Sequence, residues 1–141
     1  MAVTTVAYND GLMNLGKAMN LDTDTFKIAL LAAAYTPDID GHTTYADLTN
    51  ELAGTGGYTT GGATLANDAY TADDTNDRAK FDADDPSWAT LTMSVAAQYA
   101  VIYSTTDSNN LLVYIDFGTT VDSGGSTFTI LFHADGIFYI G

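Results

Sequence analysis

No cysteine occurs among the 141 residues, which excludes a disulfide framework, thiol chemistry and any zinc site with cysteine ligands. Cationic side chains are nearly as scarce. Lys17, Lys27, Arg78 and Lys80 stand against 18 acids, for a formal net charge of −14. Nucleic-acid binding draws most of its affinity from Lys and Arg neutralising phosphates, and four scattered cations do not supply that. Anionic membrane surfaces are disfavoured for the same reason. Glutamate is rarer still, because every acid but Glu51 is Asp. Asp competes for backbone hydrogen bonds and favours turns and caps, whereas Glu suits helix interiors. The skew predicts turns between strands rather than long helices. No apolar run approaches the roughly 18 residues of a membrane span. The start, MAVTTVAYND, has neither the cationic region nor the apolar core of a secretory signal. The expectation is a soluble protein with no export signal.

What is present argues for a folded core. Nine Tyr and six Phe are far too many rings for a disordered chain. The length fits one β-rich domain over residues 1–141. Residues 1–7 are small and β-branched and read as an edge strand or an extended arm. In Tyr8–Leu21 the residues Leu12, Leu15 and Met19 recur at helical spacing, with Asn9 or Asp10 as cap, so a short helix packing on the core is expected. Phe26, Ile28 and Leu30 alternate as in a strand. Thr43 or Thr44 opens a second short helix through Leu52, ended by Gly54. The five glycines from Gly54 to Gly62 mark turns or a bulge. Beyond Pro86 the apolar runs around Trp88–Met93, YAVIY, LLVYIDF, FTILF and IFYI are separated by turn clusters. Short strands with that punctuation predict a mainly β fold, an antiparallel β-sandwich or flattened barrel with one or two short α-helices.

A search for chemistry is less productive. There is no G-x-S-x-G elbow, and the only imidazole bases are His42, in a loop, and His133, at a strand end. Asp116 interrupts the apolar run VYIDF, but alternation places it with Tyr114 and Gly118 on an outer, solvent-facing side. An EF-hand register from Asp73 fails because Arg78 stands where Gly is required. An irregular calcium loop, with Asp73, Asp77, Asp82, Asp84 and Asp85 as oxygen donors, is the remaining metal candidate. The glycines of GTGGYTTGG lack the G-K-[ST] ending and the G-x-G-x-x-G spacing that cradle phosphates. No catalytic residue and no cofactor is expected. Tyr58, Tyr70 and Trp88 are candidate exposed rings of a carbohydrate-binding module, with Trp88 as a core anchor the favoured alternative.

Several segments carry a resemblance. They are NDGLMNLG, TDTFKIALLAAAYTPD, GGYTTGGATLA, WATLTMSVAAQYAVIY, LLVYIDFG and TFTILFHADGIFYIG. Together they span almost the whole chain, which resembles a family of small virion structural proteins of tailed bacteriophages. The resemblance implies a capsid decoration (cement) protein or another minor head or tail component. Its implied partners are the major capsid protein and further copies of itself, as a trimer or dimer, on the virion surface after synthesis in the host cytoplasm. The β-branched start, with Val3, Val6 and Tyr8, is the candidate protein interface, since an unpaired β-segment seeks a sheet edge. Competing expectations are a tail or head-tail connector component, the carbohydrate-binding β-sandwich, and an Asp-based hydrolase with two carboxylates in a cleft.

Overall fold

The computed structural model describes residues 3–141. In chain order its elements are β1 (Thr4–Ala7), α1 (Asn9–Leu15), β2 (Phe26–Ala32), β3 (Ala63–Thr64), β4 (Ala69–Asp73), β5 (Arg78–Asp82), β6 (Ser87–Trp88), β7 (Ala97–Ser104), β8 (Asn110–Val121), β9 (Phe128–Thr129) and β10 (Phe138–Ile140). The main sheet runs in the order β1-β8-β7-β2-β3, and smaller sheets run β10-β5-β4 and β6-β9. The protein is mainly β, antiparallel and sandwich-like, with one short helix.

Side chains alternate across the main sheet because successive Cβ atoms point to opposite faces. Phe26, Ile28 and Leu30 of β2, Ala100 and Ile102 of β7, and Val113, Ile115 and Phe117 of β8 share one face. They meet Phe81, Trp88, Ile130 and Ile137 from the smaller sheets and the C-terminal segment. The opposite face carries Ala29, Leu31, Val101, Tyr103 and Leu111, covered by Tyr8 and Tyr35. Register slips opposite Ile102 and Tyr103, so Leu111 faces one cluster while Leu112 and Val113 both face the other. Trp88 is a core anchor, its ring 5.9 Å from Phe128 and 6.3 Å from Tyr58.

Four local expectations need correction. The N-terminal helix ends at Leu15 rather than Leu21, and its N-cap is Tyr8, without a side-chain cap bond. Its buried residues are Gly11 and Asn14, while Leu12 and Met13 are exposed. The reason is contact with β8, where a Cβ on Gly11 would come 2.4 Å from the Leu111 carbonyl oxygen. Glycine therefore sets the packing face against β8 and Leu12 points outward, while Leu15 packs against the core and Met19, beyond the helix, is buried in it as the spacing predicts. The second helix is only a 3-10 turn at Tyr45–Asp47. Thr44 opens it in a capping box with Asp47, and the backbone turns extended at Leu48. The run at Trp88–Met93 pairs only at Ser87–Trp88, and that at Phe128–Phe132 only at Phe128–Thr129. In these two segments Leu91, Met93 and Ile130 are nonetheless buried, so burial and not pairing explains their apolar character.

The glycine segment bends the chain back onto β2. Gly62 has φ +83°, and a Cβ there would lie 1.8 Å from the Ile28 carbonyl oxygen. Only a residue without a side chain admits that approach. No helix among the described residues is long and apolar enough to cross a membrane.

Candidate functional site

β1 is an edge strand, paired with β8 through Thr4↔Asp116, Thr5↔Ile115, Val6↔Tyr114 and Ala7↔Val113. The Tyr8 amide donates to the Leu112 carbonyl at 3.1 Å. In an antiparallel ladder the mutually bonded pairs alternate, so Val6 and Thr4 also face β8. The backbone groups of Thr5 and Ala7 therefore point away from the sheet. Asn9, next in that parity, donates outward to Ile39 at 3.0 Å. Among the described residues no strand pairs with the outer edge of β1.

Beside that open edge lies a groove of about 720 Å³. Its walls are Val3, just before β1, Thr5 of β1, Ile115 and Phe117 of β8, and the segment that runs from Phe128 to Ile137. That segment is not held as a strand beyond Thr129, so it stands off from β1 and leaves the space. Leu131 on its rim is 77% exposed and Val3 55%. In a chain of net charge −14, the described lining holds no carboxylate, and His133 is its one ionisable side chain. Acids stand just outside: Asp85 accepts the Phe132 amide at 2.7 Å, Asp122 follows Val121, and Asp135 follows Ala134.

The other face of the main sheet is covered over Ala29, Leu31, Val101 and Leu111, while toward the far end of β8 Tyr114 and Asp116 are half-buried and Gly118 is exposed. Six tyrosines, Tyr8, Tyr35, Tyr45, Tyr99, Tyr103 and Tyr114, gather there, and all but Tyr35 and Tyr45 lie on or directly beside the main sheet. Four of the hydroxyls, those of Tyr8, Tyr35, Tyr45 and Tyr103, have close hydrogen-bond partners. Tyr8 and Tyr35 share a hydrogen bond of 2.7 Å, and Tyr35 meets His42 Nδ1 at 3.0 Å. Tyr103 donates to the Gly61 carbonyl at 2.7 Å. Glu51 receives three donors: the Tyr45 hydroxyl, the Tyr58 hydroxyl at 2.6 Å and the Gly61 amide at 2.7 Å. Tyr58 belongs to the opposite core, so Glu51 ties the two faces together across the edge of β2, where it bridges Leu31. Burial, and then the hydrogen bonds to Glu51, push the Tyr45 and Tyr58 hydroxyls well above the ordinary phenol value. Burial and the charge of Glu51 push Tyr103 up to about 12. The network is saturated: no wholly buried side-chain polar atom among the described residues lacks a partner.

The sequence candidates are dispersed. Asp73 ends β4 and Asp77 immediately precedes β5, while Asp82 ends β5 and Asp84 and Asp85 lie beyond. At about 3.3 Å per residue, Asp77 and Asp82 stand on the order of 16 Å apart along the strand, whereas calcium–oxygen bonds are about 2.4 Å long. The five carboxylates therefore do not form one loop site. Asp73 instead accepts from Asn76 at 2.8 Å and from Arg78 at 2.9 Å, which hold its carboxyl below the usual range. Asp84 accepts from Asn67 at 2.6 Å. No group of three or more potential ligands is placed to hold a metal among the described residues. Of the interface candidates, Val3 lines the groove, Val6 is half-buried on the tyrosine face, and Tyr8 is 0% exposed. Tyr8 is therefore corrected from a contact residue to an interior one. Met1 and Ala2 of the expected arm lie outside the described residues.

Tyr58 and Trp88 are buried, so the expected row of exposed rings for stacking on sugars does not form. His42 stacks on Tyr35 and accepts or donates to its hydroxyl, and His133 faces Asp135 at 3.3 Å on the surface. Asp116 accepts from the Gly118 amide at 2.8 Å. Two features escaped the sequence reading, the groove and the Glu51 hub. The second had a visible signal, because a lone Glu among aspartates is a long side chain kept where reach matters. No family model, curated protein or solved structure matches the chain.

Proposed function

We propose that this chain is a non-enzymatic structural protein of a virion, a capsid decoration (cement) protein that binds the outer surface of a tailed-phage head and stabilises it. The observation that carries this reading is the apolar, carboxylate-free groove beside the open edge of β1. Contiguous exposed apolar surface next to unpaired backbone groups is what protein contact uses, and it is a liability on a protein that contacts nothing. Two further features agree with a load borne by shape. The tyrosine face is locked by hydrogen bonds, and an acidic exterior repels neighbouring particles. Many equivalent copies on a shell hold firmly even where each contact is weak.

The test is binding to undecorated capsids. Purified protein is mixed with them at physiological salt and sedimented. Co-sedimentation that saturates at a fixed ratio, with a higher melting temperature of the shell, supports the reading. Protein that stays in the supernatant while remaining folded removes it. Labelling of intact virions separates a head position from a tail or connector position.

A further inference from the structure

We propose that the groove takes an extended segment of the partner protein that adds to β1 as a sixth strand of the main sheet. That segment places apolar side chains at alternate positions into the groove and carries lysine or arginine at its ends. The inference rests on the reading of the chain as a protein-binding component and names the chemistry of what it binds.

Three observations carry it. Thr5 and Ala7 direct their backbone donors and acceptors outward, and these are the groups that an added strand would bond. Val3, just before β1, and Thr5 within it are two residues apart and both line the groove, together with Phe132 and Ile137, so an added strand would bury every second residue there. Charge then selects the occupant. The lining holds no carboxylate, which favours an apolar centre, while the exposed Asp85 and Asp122 beyond the walls favour basic ends; Asp135 is already paired with Arg78 at 2.8 Å. A second copy of this chain is a poor occupant, because two bodies of charge −14 repel. A compact apolar molecule would leave the outward N–H and C=O groups of β1 unpaired.

The probes are nonapeptides with alternating apolar residue and threonine at the centre, the apolar residue being valine, leucine or phenylalanine. Each carries two lysines, two glutamates or two serines at both ends. Binding to the full chain is followed by fluorescence anisotropy. The expected result is that a lysine-ended peptide binds at least ~10-fold more tightly than its glutamate-ended twin in 50 mM salt, and that the gap narrows in 500 mM salt as charges are screened. Methylating the backbone nitrogens of that peptide removes binding. Thr5→Pro, which deletes an outward-facing amide and leaves the bonded pairs with β8 in place, weakens binding ~10-fold or more while circular dichroism stays unchanged. Val3→Asp does the same by placing charge on the groove wall.

The proposal is overturned by any of three results. These are no binding by the whole lysine-ended set, indifference to nitrogen methylation and Thr5→Pro, or concentration-dependent self-association that Thr5→Pro abolishes. Capsid sedimentation separates the two levels. Thr5→Pro protein that still decorates capsids as wild type does would end the strand-addition idea alone. Wild-type protein that ignores capsids would end the decoration reading, whatever the peptides do.

Discussion

The two faces of the main sheet each carry a buried cluster and solve the problem of burial differently. One is filled by Phe26, Ile28, Leu30, Ile102, Val113 and Ile115 against the smaller sheets, and its contacts need only shape. The other is filled by tyrosines, whose hydroxyls cannot be buried without partners. It therefore acquires a bonding plan: Tyr8 to Tyr35 to His42, and Tyr45 with Tyr58 on Glu51. An apolar face tolerates rearrangement that conserves volume, whereas a hydroxyl network specifies one arrangement. The difference suits a body that has to present a groove of fixed shape.

The largest expected effect tests the aliphatic face. Phe26→Ala, at a wholly buried ring 5.1 Å from Phe81, should cost ~3–5 kcal/mol in urea or guanidinium unfolding. A cost near 1 kcal/mol would mean the smaller sheets collapse freely onto the gap. Next, Glu51→Ala strips the acceptor from two phenols and an amide, and should cost ~2–3 kcal/mol by the same measurement. An effect as small as a surface substitution would show that the tyrosine face is held by ring packing alone.

The third prediction concerns pH. Folded tyrosines with raised values stabilise the protein fully below the unfolded phenol value of about 10, and that contribution is lost as pH rises through the folded value. With Tyr103 at about 12, stability should fall between about pH 10 and 12. Phenolate absorbance should rise together with loss of circular dichroism, and early ionisation of these rings before unfolding would contradict their burial. The smallest effect is Tyr8→Phe. It removes one hydroxyl but leaves Tyr35 bonded to His42, so ~1 kcal/mol is expected. A larger loss, seen in the same unfolding curves, would show that the chain of hydroxyls acts as one unit.

Strands were legible where alternation was unbroken, as in β2, β7 and β8, because a sheet buried on its faces imposes period 2 on the sequence. Helix length was not. Of the stripe Leu12, Leu15 and Met19, the last two pack on or in the core, but close contact at Gly11 turned Leu12 outward and Gly16 ended the helix before Met19. Tyr99, Val101 and Tyr103 fitted a strand equally well with one face wet, because tyrosine is at home in either setting. The interior position of Trp88 was legible, while the dispersal of the acids at 73–85 was not, since β5 runs between them and holds them apart.

By itself, the sequence determined an acidic, cysteine-free, turn-rich β protein and the places where its longest strands run, because composition and alternation are local properties. Tertiary structure alone decided that loop residues would roof the second face, that Glu51 would join both cores, and that residues 3–5, 115–121 and 128–137 would enclose a groove. Those results depend on which strands become neighbours and which edge stays open. Contacts between segments more than a hundred residues apart leave no periodic trace along the chain.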